Sequence, residues 1–565
     1  MAEIKLTREQ QAVVDHRGSA LLVSAAAGSG KTKVLVDRVL RRVEEEQRNI
    51  DDFLMITFTQ PAAAELRGKL IDRLSELLSL HPNDRHLQKQ MSRVYLAQIS
   101  TVHAFCGSLL REYAHVLDLP ADFRITDEQE AERLRGRVME RLLEQTYAAE
   151  QDAEVADCLK FLSTGRDDAV LVGLIGKVFR DLQCWQNPKQ RFLQLRQSLD
   201  LSDCADLGQT VWGAYWIENL KRFLVGARER LERCCEKIAR ETALQAYEPT
   251  FRENSELLSR FLAANGWNEI AAIPCDIGRL KAIRACPVPE LQEQVRETRK
   301  RIFSELKERL ALFYLPTEET VGDLRQCGTA LRGLLTLTER FSEAYRAEKL
   351  SRHVLDYNDM EHEALRLIYG GGTTPTAYAR EIAGRFAEIM IDEYQDTNAV
   401  QDAIFRGISR DGRNLFFVGD VKQSIYRFRM ADPTIFLDKY NTYADEENAA
   451  EGEPARILLS DNFRSHPQIL SAANAVFRLT MTPQVGGLYY GDAEALHPRR
   501  SFAEMGSPAV ELYYVNMDTL PAYPPIGRDE VEAEFVAARI EAMLHDGTMI
   551  PASETELRPI RAEDI

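Results

Sequence analysis

Residues 21–40 read LLVSAAAGSGKTKVLVDRVL, and the fold turns on them. An apolar run, Ala20–Ser24, enters a loop of small residues, and Gly30-Lys31-Thr32 opens an amphipathic helix. Strand, loop and helix in that order make an anion cradle. Small residues let backbone N–H groups approach a phosphate, and the helix N-terminus favours negative charge. Lys31 then reaches the terminal phosphates and Thr32 offers a hydroxyl to Mg²⁺. The loop comprises Ala25, Ala26, Ala27, Gly28, Ser29 and Gly30; the G-x-x-x-x-G-K-[ST] template has glycine where this sequence has Ala25.

A phosphate loop needs carboxylates at the end of a neighbouring strand, and FAEIMIDEYQDTNAVQ (386–401) supplies them. The run Glu388–Ile391 ends in Asp392-Glu393. Asp392 is placed for the Mg²⁺ shell and Glu393 to take a proton from an attacking water. A third strand, Leu415–Val418, delivers Gly419-Asp420 and then Gln423, Tyr426 and Phe428. Gln423 is placed to hydrogen-bond a γ-phosphate, and Tyr426 or Phe428 to stack on an exposed base. Farther along, Arg464 follows the run Ile457–Leu459, where a guanidinium delivered to a γ-phosphate would stabilise the transition state.

The rest of the chain sorts by texture. Residues 1–120 alternate apolar runs (also Phe53–Phe58 and Tyr95–Thr101) with amphipathic helices, the pattern of a parallel sheet covered by helices. From about Asp127 to Arg352 the strand runs vanish, and charged helices with apolar stripes predict an inserted all-helical domain. The acidic stretch 444–454 reads as a linker ahead of another domain, in which Val510–Val515 is a strand and about 529–544 a helix. The expected class is therefore α/β. Residues 1–122 and 351–450 form a first nucleotide-binding lobe, 123–350 an insertion, and 455–565 the incomplete start of a second lobe.

Composition narrows the class without naming the work. The 565 residues carry 71 Lys+Arg against 88 Asp+Glu, a net charge of −17. The deficit is uneven: residues 501–565 hold 4 basic and 13 acidic side chains, whereas residues 1–120 hold 16 and 15. An acidic total disfavours non-specific coating of nucleic acid but leaves room for a local groove. No apolar run approaches the roughly 18 residues that span a bilayer, so no membrane partner is expected. The nine cysteines show no C-x-x-C spacing, and with no leader at MAEIKLTREQQ the expectation is reduced thiols in the cytoplasm.

Taken in order, LTREQ (6–10), AAAGSGKT (25–32), TFTQPAAAELR (57–67), ISTVHAFC (99–106), LDYNDME (355–361), IDEYQDTNAVQ (391–401), VGDVKQSIYRFR (418–429) and LSDNFRS (459–465) resemble the motif series of UvrD/Rep-like superfamily-one DNA helicases. Within that group FRITDEQE (123–130) and VGDVKQSIYRFRMADP resemble the AddA family of bacterial helicase–nucleases. The resemblance implies RecA-like lobes, ATP with Mg²⁺, and 3′→5′ translocation on DNA from double-strand ends during recombinational repair. It also implies a partner of AddB type in a heterodimer, together with an exonuclease domain beyond Ile565, making this the N-terminal part of a longer protein. By the same resemblance Gln10 reads the adenine, Lys31 and Thr32 the phosphates and Mg²⁺, and Asp392 and Glu393 are metal carboxylate and base. Gln423 is the γ-phosphate sensor and Arg464 the arginine finger. Thr59, Thr101, His103 and Phe105 line the single-strand track or its coupling elements, and Phe428, with Tyr426 beside it, is the base-stacking residue. Gln60-Pro61 departs from the family's usual residues there, and Phe428 stands where many relatives carry Trp. Two other readings stay open at this point: a repair helicase without a nuclease, and a DNA-binding or assembly protein with a degenerate ATP site.

Overall fold

In the computed structural model the described residues are 6–120, 122–163, 168–201, 203–283, 286–483, 485–506, 508–516 and 527–565. They divide into two compact units, one of residues 132–183 and 187–348, the other of the remaining chain.

The larger unit is organised by a seven-stranded sheet. Its strands are β1 (Leu21–Ala25), β2 (Phe53–Thr57), β3 (Gln98–Thr101), β4 (Glu388–Ile391), β5 (Leu415–Gly419), β6 (Ala444–Asp445) and β7 (Ala455–Leu459). The order across the sheet is β3-β2-β4-β5-β1-β7-β6, and every pair is parallel. Parallel strands are buried on both faces and so read as continuous apolar runs. Their side chains alternate between two cores. Leu22, Leu54, Ile56, Ile389, Ile391 and Phe417 pack with helices Val102–Glu112, Tyr357–Tyr369 and Ala399–Gly407. Leu21, Val23, Phe53, Met55, Met390 and Phe416 pack with Arg8–Asp15, Lys31–Glu45 and Gln60–Leu80. Three layers result, helices on either side of the sheet.

Some sequence expectations change here. Tyr95–Ala97 is a turn, with Tyr95 and Leu96 exposed, so β3 begins only at Gln98. Phe58 falls one residue past β2 and is partly exposed. The run Ile457–Leu459 opens no new sheet; β7 pairs with β1 from Leu21↔Ala455 to Ala25↔Leu459. The acidic stretch before it carries the edge strand β6 and a tight turn, joining two strands of the same sheet. Val510–Val515 is not a strand, because it has no neighbouring strand to bond to among the described residues. It runs exposed, Tyr513 packing on Phe535 of the helix Arg528–His545.

The other unit is helical throughout its described residues. Its long helix Val211–Arg240 buries Ile217, Leu220, Leu224, Ala227, Leu231, Cys234 and Ile238, an alternating three–four spacing that keeps one stripe facing its partners. Those partners, Glu248–Ala263 and Pro289–Leu310, bring Phe251, Leu258, Phe261, Ile302 and Phe303 to the shared core. All nine cysteines are free, and no helix among the described residues is long and apolar enough to cross a membrane.

One charged cluster ties the layers of the sheet unit together. Arg38, on the helix that follows the phosphate loop, places Nη2 2.6 Å from Oε1 of Glu388, the first residue of β4. Arg42 reaches the other carboxylate oxygen at 3.1 Å, and Arg38 Nη1 donates to the Val13 carbonyl at 2.5 Å. Arg38 and Glu388 are both almost wholly buried. Burial would raise the Glu388 carboxyl, but the two guanidiniums outweigh it and hold it below its ordinary range. Its stabilisation is therefore complete above the unfolded carboxylate range and lost as pH falls through the lowered value. Glu388→Gln should cost about 3–5 kcal/mol at neutral pH by leaving the buried Arg38 and the half-buried Arg42 facing a neutral amide. Urea unfolding should show that loss shrinking in acid; an unchanged midpoint at neutral pH would contradict it.

Candidate nucleotide site and its carboxylates

A sheet of parallel strands sends every strand's C-terminal end to one edge, which is where ligands bind in such folds. Here that edge collects the loop after β1, Asp392-Glu393 after β4, Asp420 after β5, Thr59 after β2, Thr101 at the end of β3 and Asn462 after β7.

The loop after β1 is held from outside. Gly28 and Gly30 adopt left-handed backbone, φ 72° and 86°. A Cβ on Gly28 would lie 2.7 Å from Asn462 Nδ2, so glycine is required by space as well as by angle. Asn462 Nδ2 donates to the Ala27 carbonyl at 2.7 Å, while its Oδ1 accepts from the backbone N–H of Arg464 and Ser465 at 2.9 and 2.8 Å. Ala25 ends the buried strand and Ala26 N donates to the Leu459 carbonyl at 2.9 Å. Arg464 is thus set beside the loop, its side chain exposed. Ser29 Oγ is buried without a hydrogen-bond partner among the described residues, a polar group facing no protein acceptor.

Gln10 is buried and doubly engaged. Its Oε1 accepts from Thr7 N at 3.0 Å in a capping box, and its Nε2 donates to the Ser29 carbonyl at 2.9 Å. It lines a cavity of about 340 Å³ with Thr7, Ser29, Leu459, Asp461, His497 and Arg499. This places the expected adenine reader in the wall of a cavity that abuts the loop.

The carboxylates meet the lysine. Lys31 Nζ lies 3.1 Å from both Oε1 and Oε2 of Glu393. Asp392 Oδ1 accepts the Glu393 N–H at 3.0 Å. Burial, and then the Glu393 charge, push the Asp392 carboxyl up to about 6; the same two causes push Asp396 up to about 6. Three acids thus crowd one ammonium, a charge surplus that a dication would offset. Mg²⁺ is ordinarily held by one or two carboxylates plus substrate phosphates, not by an all-protein cage. The hydroxyl of Thr32 and the carboxylate of Asp392 fit that donor set. Gln423 Nε2 donates to Asp420 Oδ2 at 2.8 Å, so the expected sensor is held at the end of β5.

The expected nucleic-acid residues separate into two groups. Phe428 is 75% exposed, Tyr426 stands 5.9 Å from it, and Phe58 stacks on Tyr426 at 4.7 Å with ring planes 29° apart. Phe58 reads as the end of a strand on sequence; its position just past an apolar run and between two threonines is the only signal for it. Thr59 and Thr101 cap the helices that follow them, accepting from Ala62 N and Ala104 N. His103 Nε2 lies 3.2 Å from Glu361, and its ring packs on Tyr357 at 4.8 Å. Phe105 is a correction. It is 2% exposed and packs edge-on to Phe386 in the core, because it shares a helical face with Cys106, Leu109 and Leu110.

With this geometry in hand, comparison with known proteins gives a consistent family. The chain is 32% identical over 591 residues to a protein of Clostridium novyi (strain NT) named as the A chain of an ATP-dependent helicase/nuclease, covering 99% of this chain and 47% of that protein. It is 35% identical to the protein of that name from Desulforudis audaxviator (97% and 46% covered) and 36% to that from Moorella thermoacetica (90% and 37%). The chain therefore spans less than half the length of these relatives. The UvrD/REP helicase N-terminal domain matches residues 6–444, which takes in the phosphate loop, both carboxylates, Gln423 and Phe428 together, and the chain belongs to the UvrD/REP helicase family.

Proposed function

We propose that the chain is the ATP-driven motor segment of a helicase–nuclease that translocates 3′→5′ on one DNA strand from double-strand ends. The observation that carries this is the meeting of Lys31 with Glu393 at the edge where β1 and β4 end. A nucleotide's terminal phosphate would take Lys31 as its counter-charge and so release the Glu393 carboxylate to accept a proton from the attacking water. Asp392 and Thr32 would hold Mg²⁺, which supplies charge neutralisation at the phosphates when bound. Gln423 would contact the γ-phosphate and Arg464 the charge developing on it. Gln10 and its cavity would take the base. Thr59, Thr101, His103, Tyr426 and Phe428 would form the strand track, joined by Phe58. The sheet unit then corresponds to a RecA-like lobe, and the helical unit to an insertion in it. Because each relative's name makes it one component of a larger assembly, a second polypeptide is the partner to look for, with single strands and duplex ends as substrate.

The direct test is ATP turnover by the natural protein with and without single-stranded DNA, together with separation of duplexes carrying 3′ or 5′ tails. Stimulated turnover with opening only of 3′-tailed duplex is expected; turnover indifferent to DNA would overturn the reading. Lys31→Ala should abolish turnover while the protein stays folded, since it removes one charge at the first turn of a helix and leaves both apolar cores intact. Glu393→Gln should keep nucleotide binding and lose turnover, because it neutralises only the proton acceptor. If Glu393→Gln fails to bind nucleotide in an equilibrium titration, Glu393 is a binding group instead. Phe428→Ala should weaken single-strand binding by about 1–3 kcal/mol, the scale of one lost stack, with Phe428→Trp retaining it. Fluorescence anisotropy on a labelled oligonucleotide reads both.

A further inference from the structure

Between the ends of β4 and β5 sits a side chain that no motif reading singled out. Gln395 is 1% exposed. Its Nε2 donates to Glu393 Oε2 at 2.9 Å, and its Oε1 accepts the backbone N–H of Asp420 at 2.9 Å. Asp420, equally buried, holds Gln423 Nε2 on one carboxylate oxygen at 2.8 Å and Lys422 Nζ on the other at 2.9 Å. The line Glu393–Gln395–Asp420–Gln423 is therefore unbroken.

The chemistry of the line admits few side chains. One end of residue 395 must donate to a carboxylate and the other must accept from an N–H. A neutral primary amide does both, and its orientation is settled by its partners: reversed, it would set oxygen against carboxylate and N–H against N–H. Glutamate would lack the donor and add a like charge. Space is reserved for the amide as well. A Cβ on Gly419 would lie 2.3 Å from Gln395 Oε1, so the glycine that ends β5 leaves the passage open. Glu393 itself has φ 51°, a strained setting for a residue with a side chain, and such settings persist only where neighbours over-determine them.

We propose that Gln395 is a positioning residue for ATP hydrolysis: it holds the Glu393 carboxylate by a bond separate from that of Lys31 and joins its setting to the strand end that carries Gln423. The proposal rests on the role given above to Glu393. It acts through Glu393 and not on the nucleotide, so kcat should fall while KM and nucleotide affinity hold. Small displacements of a reacting group cost on the order of 10²-fold in rate.

The test uses the natural protein in three forms: wild type, Gln395→Glu, and Gly419→Ala, whose Cβ would crowd Gln395 Oε1 and the backbone nitrogens of Tyr394 and Gln395 without removing any group assigned to the reaction. Both variants are expected to lower DNA-stimulated kcat by at least about tenfold, with KM for ATP and affinity for a non-hydrolysable ATP analogue within about twofold of wild type. Wild-type kcat in Gln395→Glu, or a parallel loss of analogue affinity in either variant, would overturn the proposal. So would failure of both to fold by circular dichroism, since Gln395 would then be a structural residue. Absence of turnover in the wild type would instead reject the functional reading on which the proposal rests.

Discussion

The constraint on which the rest depends is that all seven strands of the sheet run the same way. Parallel pairing brings the ends of β1, β5 and β4 side by side, although the helical unit's residues separate β1 from the other two along the chain. No loop has to reach far to assemble the site. The Arg38–Glu388–Arg42 cluster at the opposite edge fixes the remaining freedom. It clamps the helix that begins at Lys31 against the strand that finishes before Asp392. A helix and a strand pinned at one end have little room to slide at the other, and that is the end where Lys31 meets Glu393. Buried ion pairs are weak evidence for stability but serve well to select one arrangement over its neighbours.

Electrostatics at the site point the same way. Asp392, Glu393 and Asp396 converge on Lys31, and two of the three carboxyls are pushed up to about 6. Such crowding is costly for folding and is arranged where incoming charge will relieve it. On the proposed reading, a phosphate brought in with its counter-ion would alter the balance twice: it would draw the ammonium away from Glu393, and the counter-ion would add positive charge beside Asp392. The overall charge of −17 does not by itself decide against an anionic ligand, because net charge says little about any one site.

Much of this is legible in sequence for a physical reason. Strands buried on both faces appear as uninterrupted apolar runs, and the residues after them sit at one edge whatever the connections between. That is why Lys31, Asp392, Glu393 and Gln423 can be named without coordinates. Errors arise where the same signal has two causes. Tyr95-Leu96 looks like the start of a buried strand but is an exposed turn. Val510–Val515 alternates like a strand yet has no neighbouring strand among the described residues. The run before Arg464 reads as part of a second lobe because an acidic stretch precedes it, although that stretch merely carries the edge strand β6 and the turn into β7. Phe105 carries its own correction: Cys106, Leu109 and Leu110 share its helical face, so burial is written in the spacing. Gln395, Asn462 and Phe58 are harder. Each has a partner distant in sequence (Asp420 for Gln395, Ala27 for Asn462, Tyr426 for Phe58), and spacing along one segment says nothing about a partner on another.

The left-handed backbone at Glu393 gathers these threads. A residue with a side chain held at φ 51° costs free energy that the surroundings must offset. They do so from three sides. Lys31 takes both carboxylate oxygens, Gln395 donates to one of them, and the Glu393 N–H is taken by Asp392. Only the first of these is a group that a phosphate would compete for; the other two lie within the strand end and its neighbour. Removing the lysine's hold therefore frees the charge of Glu393 without freeing its position. Under the role proposed for Glu393, a proton acceptor that becomes available yet stays in place is what hydrolysis at an adjacent phosphate would require, and the parallel edge, the buried amide and the strained turn would each supply one part of it.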